Sequence, residues 1–218
     1  MKRRKLPNEM GVLGVVVLIA TIFSIMSPAF RTLDNAMVLL INGMVIAFLA
    51  LGQTFVLLTG GIDLSTGANA AMTGVIGALF IQAGLPWLVG AALAVGVGVV
   101  LGILNGLLIH LIRIPAFIAT FSTQGVALAV PLILTRANSV PVTDPGFSWI
   151  GQGAIAKVPV PVLLLVICAV IAALFLKYTR AGVHVYAMGG NATAARLAGV
   201  SIARTTVLVY AVSGFCGG

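Results

Sequence analysis

Residues 87–109 read WLVGAALAVGVGVVLGILNGLLI and lie within a longer stretch, residues 64–112, that contains no Asp, Glu, Lys or Arg. A helix needs about 20 consecutive apolar residues to cross the hydrocarbon core of a bilayer. The longer stretch therefore accommodates two membrane-spanning helices. The turn signal Gly84-Leu85-Pro86, followed by the interfacial aromatic Trp87, marks the break between them.

The composition of the whole chain agrees with a membrane protein. Of its 218 residues, 61% are apolar and 7% are charged, whereas a soluble domain has roughly 45–50% apolar and about 25% charged residues. The formal net charge of +8 comes from 12 basic against 4 acidic residues. Basic residues gather on the cytoplasmic side of membrane proteins, so this excess follows from topology and does not indicate nucleic-acid binding.

The spacing of charges predicts six complete spans and the start of a seventh. The fold class is thus all-α, a polytopic helical membrane protein, and residues 1–218 form a single membrane domain without visible repeats. The predicted spans are 10–27, 36–59, 66–84, 87–109, 117–135 and 160–176, and a seventh apolar segment runs from Thr205 to the last residue, Gly218.

The basic residues predict the orientation of the chain. Lys2-Arg3-Arg4-Lys5 precedes an apolar run without a convincing cleavage site, which indicates an uncleaved first helix with a cytoplasmic N-terminus. Alternation then makes 136–159 an outside loop, in which a short helix lies in the interface, and 177–204 a cytoplasmic loop. The inside segments hold nine basic residues, namely Lys2, Arg3, Arg4, Lys5, Arg113, Lys177, Arg180, Arg196 and Arg204, against Arg31, Arg136 and Lys157 outside.

No motif in the sequence supports catalysis. A phosphate-binding glycine loop, a metal-ligand cluster and paired carboxylates are all missing, so we expect no metal site and no cofactor bound by this chain. Cys168 and Cys216 are interpreted as small core residues. His110 and His184 lie at predicted membrane edges. Transport is the function that remains. It is either powered by another subunit or passive.

Neutral polar side chains inside the spans suit an uncharged, hydroxyl-rich solute, although many such groups simply hydrogen-bond between helices. Asn105 is one of them. The group Thr120, Ser122, Thr123 and Gln124 follows Ile114-Pro115, which disfavours a regular helix at that point, and it is therefore interpreted as pore-lining.

Small residues predict where helices approach each other closely. Gly98, Gly102 and Gly106 recur every four residues in the fourth span, and Ala70, Gly74 and Ala78 do the same in the third. Both stripes are expected to allow backbones to come together.

The connection between the second and third spans reads Thr59-Gly60-Gly61-Ile62-Asp63-Leu64-Ser65-Thr66-Gly67. Gly60 and Gly61 supply unusual backbone angles, and Asp63 or Ser65 is positioned to cap the following helix. Together with the preceding Gly52-Gln53-Thr54-Phe55-Val56-Leu57-Leu58, this string resembles the hallmark of the ribose-type sugar ABC importer permeases.

Two further blocks resemble the same family and occur in its order. One is Ile114-Pro115-Ala116-Phe117-Ile118-Ala119-Thr120-Phe121. The other comprises Thr179-Arg180-Ala181-Gly182, Tyr186-Ala187-Met188-Gly189-Gly190-Asn191 and Ala194-Ala195-Arg196-Leu197-Ala198-Gly199-Val200.

The last block also predicts a short cytoplasmic helix on physical grounds. Asn191 is a good N-cap, residues 192–198 have high helix propensity, and Gly199 ends a helix in a left-handed conformation. The resemblance implies that this is the coupling helix, which binds the ATPase subunit through Asn191, Ala194, Ala195, Arg196, Leu197 and Gly199. Arg196 would pair with an acidic partner. An ordinary interfacial helix is the alternative, and Ala192 departs from the acidic residue common in the family.

The resemblance further implies the function and the partners. The chain is expected to be a non-enzymatic permease subunit of a monosaccharide importer in the cytoplasmic (inner) membrane of a bacterium. A second permease subunit, identical or related, completes the path, a separate sugar ATPase binds ATP-Mg, and a periplasmic or lipid-anchored protein delivers the sugar. The translocation path or its structural motif is assigned to Gly60, Gly61, Asp63, Ser65, Asn105, Thr120, Ser122 and Thr123.

Two other functions stay open at this point: a passive channel or facilitator for small neutral solutes, and a non-transporting scaffold. Dependence on an ATPase separates them from the importer. The sequence stops at Gly214-Phe215-Cys216-Gly217-Gly218, inside what resembles the seventh helix of the family. A C-terminally truncated permease is therefore expected, with poor stability or dependence on a missing segment.

Overall fold

The computed structural model describes residues 8–218, and the cluster Lys2, Arg3, Arg4 and Lys5 that decides the predicted orientation lies outside this range. Over the described residues the fold is all-α apart from one small hairpin, β1 (Ala154–Ile155) and β2 (Val158–Pro159). The α-helices in this range are α1 (Asn8–Met26), α2 (Leu33–Leu58), α3 (Thr66–Gln82), α4 (Trp87–His110), α5 (Ala116–Thr135), α6 (Pro145–Gln152), α7 (Val160–Tyr178), α8 (Arg180–Gly190), α9 (Ala192–Leu197) and α10 (Ile202–Gly217).

A helix occupies every predicted span, and each end lies within three residues of its predicted position. By length and apolar character, α2, α4, α5 and α7 are suited to cross a membrane. The apolar part of α1 (Met10–Met26) and α10 are shorter, and α3 has 17 residues. The all-α membrane class is therefore confirmed, with four clear spans.

The chain divides into two compact units, Met1–Gly43 and Met44–Gly218, and α2 runs through the boundary. In the first unit a short 3-10 turn, Pro28–Arg31, follows α1. The ring of Phe23 stacks on that of Phe30 with centroids 5.7 Å apart. This stacking fixes the turn against the last residues of α1.

In the second unit α4 and α10 are in backbone contact along the predicted glycine stripe. A Cβ added to Gly102 would overlap the carbonyl oxygen of Tyr210, and one at Gly106 would lie 2.6 Å from the Cα of Val207. Gly98 meets Gly214 in the same way. The expectation of close approach in the fourth span is confirmed, because only glycine fits at these positions.

The prediction for the third span was wrong at Gly74. Gly74 is exposed, and a Cβ added to it would have no atom within 4 Å, whereas Ala78 of the same stripe is buried. Gly77 is used instead, since its added Cβ would lie 3.1 Å from the Cβ of Ala94 on α4. Small residues occupy several faces of α3, and packing against α4 selects one.

One apolar core joins the end of α2 to α8 and α10. It contains Phe55, Val56, Val185, Val209 and Tyr210, all with at most 3% of their surface exposed. The helix α8 was not predicted from the sequence. It begins where the Thr179 hydroxyl accepts a hydrogen bond from the amide of Gly182 at 3.0 Å, and burial of Val185 holds it in place.

The predicted short helix in residues 136–159 is present as α6. Pro145 occupies its first turn, and the Asp144 carboxylate accepts hydrogen bonds from the amides of Gly146 and Phe147 at 2.8 and 3.0 Å. A proline in the first turn and an aspartate at the N-cap both favour a helix start. The β1–β2 hairpin after it was missed.

Candidate functional site

The segment between α2 and α3, residues 59–65, carries the predicted glycines in an irregular conformation. Gly60 has a φ of +78°, as expected for a residue that must turn the chain. A Cβ at Gly61 would lie 2.9 Å from the hydroxyl of Tyr210. That hydroxyl donates a hydrogen bond to the carbonyl oxygen of Ile62 at 3.0 Å, so α10 holds the segment by its backbone.

The carboxylate of Asp63 joins the same segment to α10 a second time. Its Oδ1 accepts hydrogen bonds from the amide and the hydroxyl of Ser65 at 2.9 and 2.6 Å, and its Oδ2 accepts one from the hydroxyl of Ser213 at 2.8 Å. Asp63 is 4% exposed. Neither Asp63 nor Ser65 caps the amides of α3, so the predicted capping role was wrong: the two side chains bond to each other and, beyond that, to Ser213 and Asn105.

Two further helices join through Asn105 and Thr123. The Asn105 amide nitrogen donates to the Ser65 hydroxyl at 2.9 Å, and the Asn105 amide oxygen accepts from the Thr123 hydroxyl at 2.7 Å. Every hydrogen bond in this row is donated toward Asp63. We call the row the Asp63 network; its members are Thr123, Asn105, Ser65, Asp63 and Ser213. It ties α4, α5 and α10 to the segment before α3.

The structure places the predicted pore-lining residues of α5 in different environments. Thr120 is fully buried and donates to the carbonyl of Ala116 at 2.8 Å, whereas Ser122 is exposed and donates to that of Ile118 at 2.8 Å. The expected irregular backbone around them is wrong, because α5 is regular from Ala116 onward. Pro115 acts before the helix, as its N-cap.

Sequence reasoning did not assign a site role to Asn69 and Thr73, which form a second polar contact on α3. The Asn69 amide donates to the carbonyl of Gly214 at 3.2 Å, and the Thr73 hydroxyl donates to that of Gly217 at 3.0 Å. Both side chains are at most 2% exposed. Their spacing of four residues inside a span places them on one helix face, which is the signal that could have identified them.

The predicted coupling element is a short helix with the expected ends. The Asn191 side chain accepts a hydrogen bond from the amide of Ala194 at 3.0 Å, and Gly199 has a φ of +86°. The amide of Val200 then bonds back to the carbonyl of Ala195 at 3.0 Å. The N-cap and the left-handed C-terminal glycine are confirmed. The helix α9 has 6 residues, slightly fewer than the two turns predicted.

The exposure of α9 differs along its length. Ala195 is buried against the rest of the second unit, while Leu197 is 86% exposed and Asn191, Ala194, Arg196 and Gly199 are also exposed. The end of α8, which precedes this helix, is anchored, since a Cβ at Gly189 would overlap the carbonyl of Leu58 at the end of α2. An anchored helix with an apolar and a basic side chain free has the composition of a docking element.

The Asp63 network consists of hydroxyl, amide and carboxylate groups that hydrogen-bond to one another and hold the helices together. Within residues 8–218 no group of three or more His, Cys, Asp or Glu side chains is placed to hold a metal ion.

Comparisons with known proteins identify the family. Residues 35–218 match the family described as the branched-chain amino acid transport system permease component. The chain is 35% identical over 219 residues to the ribose import permease protein of Haemophilus influenzae, a match that covers 97% of this chain and 67% of that protein.

Other relatives are similar. The ribose import permease protein of Bacillus subtilis is 37% identical over 93% of this chain and 63% of its own length. For the galactofuranose transporter permease protein of Escherichia coli the identity is 31%, over 99% of this chain and 65% of its own length. The chain thus spans about two thirds of the length of these curated relatives.

No solved structure matches the chain significantly. The family match nevertheless covers most of the residues described above, including the Asp63 network and α9. The resemblance noted in the sequence is confirmed: this chain belongs to the permease-component family of transport systems that includes the ribose import permeases.

Proposed function

We propose that this chain is a permease subunit of an ABC importer that carries a monosaccharide, ribose or a related neutral sugar, across the cytoplasmic membrane. The observation that carries the proposal is the 35% identity to a ribose import permease over 97% of the chain. The neutral character of the polar groups inside the helices supports an uncharged solute. A separate ATPase subunit supplies the energy by binding ATP-Mg.

In this proposal the chain crosses the membrane six times and begins a seventh crossing with α10, and its N-terminus is cytoplasmic. The excess of basic residues in the inside segments supports this orientation. The helices α8 and α9 then face the cytoplasm, as does the 111–115 connection. The helix α6 and the hairpin face outward, where a periplasmic or lipid-anchored binding protein delivers the sugar.

The residues first assigned to the path divide into two roles in this proposal. Asp63, Ser65 and Asn105 are buried and bonded to one another, so they hold the helices in position. Thr120 is also buried, but its hydroxyl bonds to the Ala116 carbonyl of its own helix. Gly60 and Ser122 are exposed and are the members that we assign to the path itself. A second permease subunit, identical or related, supplies the opposite wall.

The helix α9 is the proposed contact with the ATPase subunit. It is capped at both ends, and its neighbour Gly189 lies against the α2 backbone. A stub of this length is marginal by itself and persists because its surroundings hold it. Closure of the ATPase subunits would therefore be transmitted through α8 and α10 to the membrane helices.

The test compares two glycines that share a backbone conformation. Gly199 and Gly84 have φ values of +86° and +90°, and a Cβ at either has no atom within 4 Å. Valine at either position introduces the same strain. Gly199→Val is expected to abolish copurification with the adjacently encoded ATPase subunit and to abolish ATP-dependent sugar uptake. Gly84→Val, in the turn between α3 and α4, should preserve both.

Uptake that continues without nucleotide would contradict the proposal and identify a passive facilitator. A folded wild-type protein that neither binds the ATPase subunit nor transports sugar would instead support a scaffold. Both measurements use the natural full-length protein in membranes.

A further inference from the structure

An open cavity of about 650 Å³ lies between the end of α4 and the connection from α9 to α10. Its polar lining comes from His110 and Arg113 on one side and from Arg196 and Ser201 on the other. Arg113 is exposed, and the connection that carries it is closed by a hydrogen bond from the amide of Ile114 to the carbonyl of Leu108 at 3.3 Å. We call this cavity the basic pocket.

The basic pocket receives no carboxylate from its own unit. Residues 44–218 contain two acidic side chains, Asp63 and Asp144. Asp63 is fully engaged with Ser65 and Ser213, and Asp144 caps α6. Two guanidinium groups therefore line an open polar cavity without a negative partner from the helices that build it, which makes the pocket complementary to an external anion.

We propose that the basic pocket receives a carboxylate side chain of the ATPase subunit, beside the contact that α9 makes. This inference rests on the proposed function and extends the docking surface from α9 to the α4–α5 connection. Arg196 lines the basic pocket and also belongs to α9, and its neighbour Leu197 is 86% exposed. An apolar side chain next to paired cations fits a protein partner, which covers the leucine while it fills the pocket.

The chain offers a matched control for Arg113. Arg136 is also an exposed arginine with a positive φ, 51° against 63° for Arg113, and the two lie just beyond opposite ends of α5. The affinity of the full-length permease in nanodiscs for the purified ATPase subunit is measured for Arg113→Glu, Arg113→Gln and Arg136→Glu. We expect Arg113→Glu to weaken binding by about tenfold or more, Arg113→Gln to weaken it less, and Arg136→Glu to leave it unchanged.

Salt and charge reversal give two further readouts. Wild-type binding should weaken as the salt concentration rises, and that dependence should decrease in Arg113→Gln. Lysine in place of the partner's acidic residue should restore binding to Arg113→Glu. Arg196→Glu provides a second test at an exposed position if Arg113→Glu does not fold.

Each contrary result has its own meaning. If Gly199→Val abolishes binding while Arg113→Glu and Arg196→Glu bind like wild type, the pocket inference is overturned and the proposed function stands. If wild type does not bind the ATPase subunit, both fail. Loss of copurified anionic phospholipid from Arg113→Glu at unchanged ATPase affinity would overturn the inference in favour of a lipid headgroup.

Discussion

The hydroxyl of Ser213 donates a hydrogen bond of 2.8 Å to the carboxylate of Asp63, a residue 150 positions earlier in the chain. Both side chains are at most 4% exposed. This bond closes the Asp63 network onto α10, the last helix of the described residues. The position of the segment before α3 therefore depends on a helix that lies far along the sequence.

Ser213→Ala is expected to lower the free energy of unfolding by about 1–3 kcal/mol, because it leaves Oδ2 of Asp63 buried without its donor. Thermal unfolding in nanodiscs measures the change. The control is Ser122→Ala, whose hydroxyl is exposed and bonds to its own helix; it should change stability by less than about 0.5 kcal/mol. Equal losses in the two variants would argue against a special role for the Ser213 contact.

Asp63→Asn tests the carboxylate itself. An amide has one acceptor oxygen, so it cannot accept from Ser65 and Ser213 through separate oxygens as Asp63 does. We expect a loss at least as large as that of Ser213→Ala. The double variant should lose less than the sum of the single losses, by about 0.5 kcal/mol or more, because the two residues share one bond. Strict additivity in the double-mutant cycle would show that they act independently.

Gly102→Ala is expected to destabilise the protein by about 1–3 kcal/mol, since the new methyl group would overlap the carbonyl of Tyr210 and force α4 and α10 apart. Gly96 lies in the same helix, is exposed, and has open space at its Cβ position. Gly96→Ala should therefore leave stability unchanged or raise it slightly. The unfolding temperatures of Gly102→Ala and Gly96→Ala are compared with that of the wild type. An unchanged unfolding temperature in Gly102→Ala would mean that α4 and α10 can separate with little loss of stability.

Asn191→Ala removes the cap of α9 and should cost about 1 kcal/mol locally. We expect faster hydrogen exchange at the amide of Ala194, which loses its acceptor, and weaker binding of the ATPase subunit. Asn191→Asp keeps an acceptor at the same position and should behave like wild type in both measurements. If the aspartate variant were as defective as the alanine variant, the amide group of Asn191 would itself be needed for docking.

The local parts of this structure were predictable from the sequence. The ends of α9 follow from Asn191 and Gly199 because capping depends on a few neighbouring residues. The Gly98, Gly102 and Gly106 stripe was predictable for a similar reason, since one helix face carries all three.

The remaining parts depend on contacts that no local pattern encodes. The helix α8 has poor intrinsic propensity, with Gly182, Gly189 and Gly190 among its residues, and burial of Val185 stabilises it. On α3, small residues line more than one face, so periodicity alone could not choose Gly77 over Gly74. The partner of Asp63 was unpredictable because Ser213 is an ordinary serine in an apolar helix until the fold brings it to the carboxylate.

The contact between α4 and α10 leaves no side chain between the two backbones at Gly102. In the proposed orientation the cytoplasmic end of α10 begins at Ser201 beside α9, and Ser213 lies about 18 Å further along the helix. A tilt of about 5° would move Ser213 by about 1.5 Å, more than a hydrogen bond tolerates. A tilt of this size relative to residues 59–65 would therefore break the bond between Ser213 and Asp63.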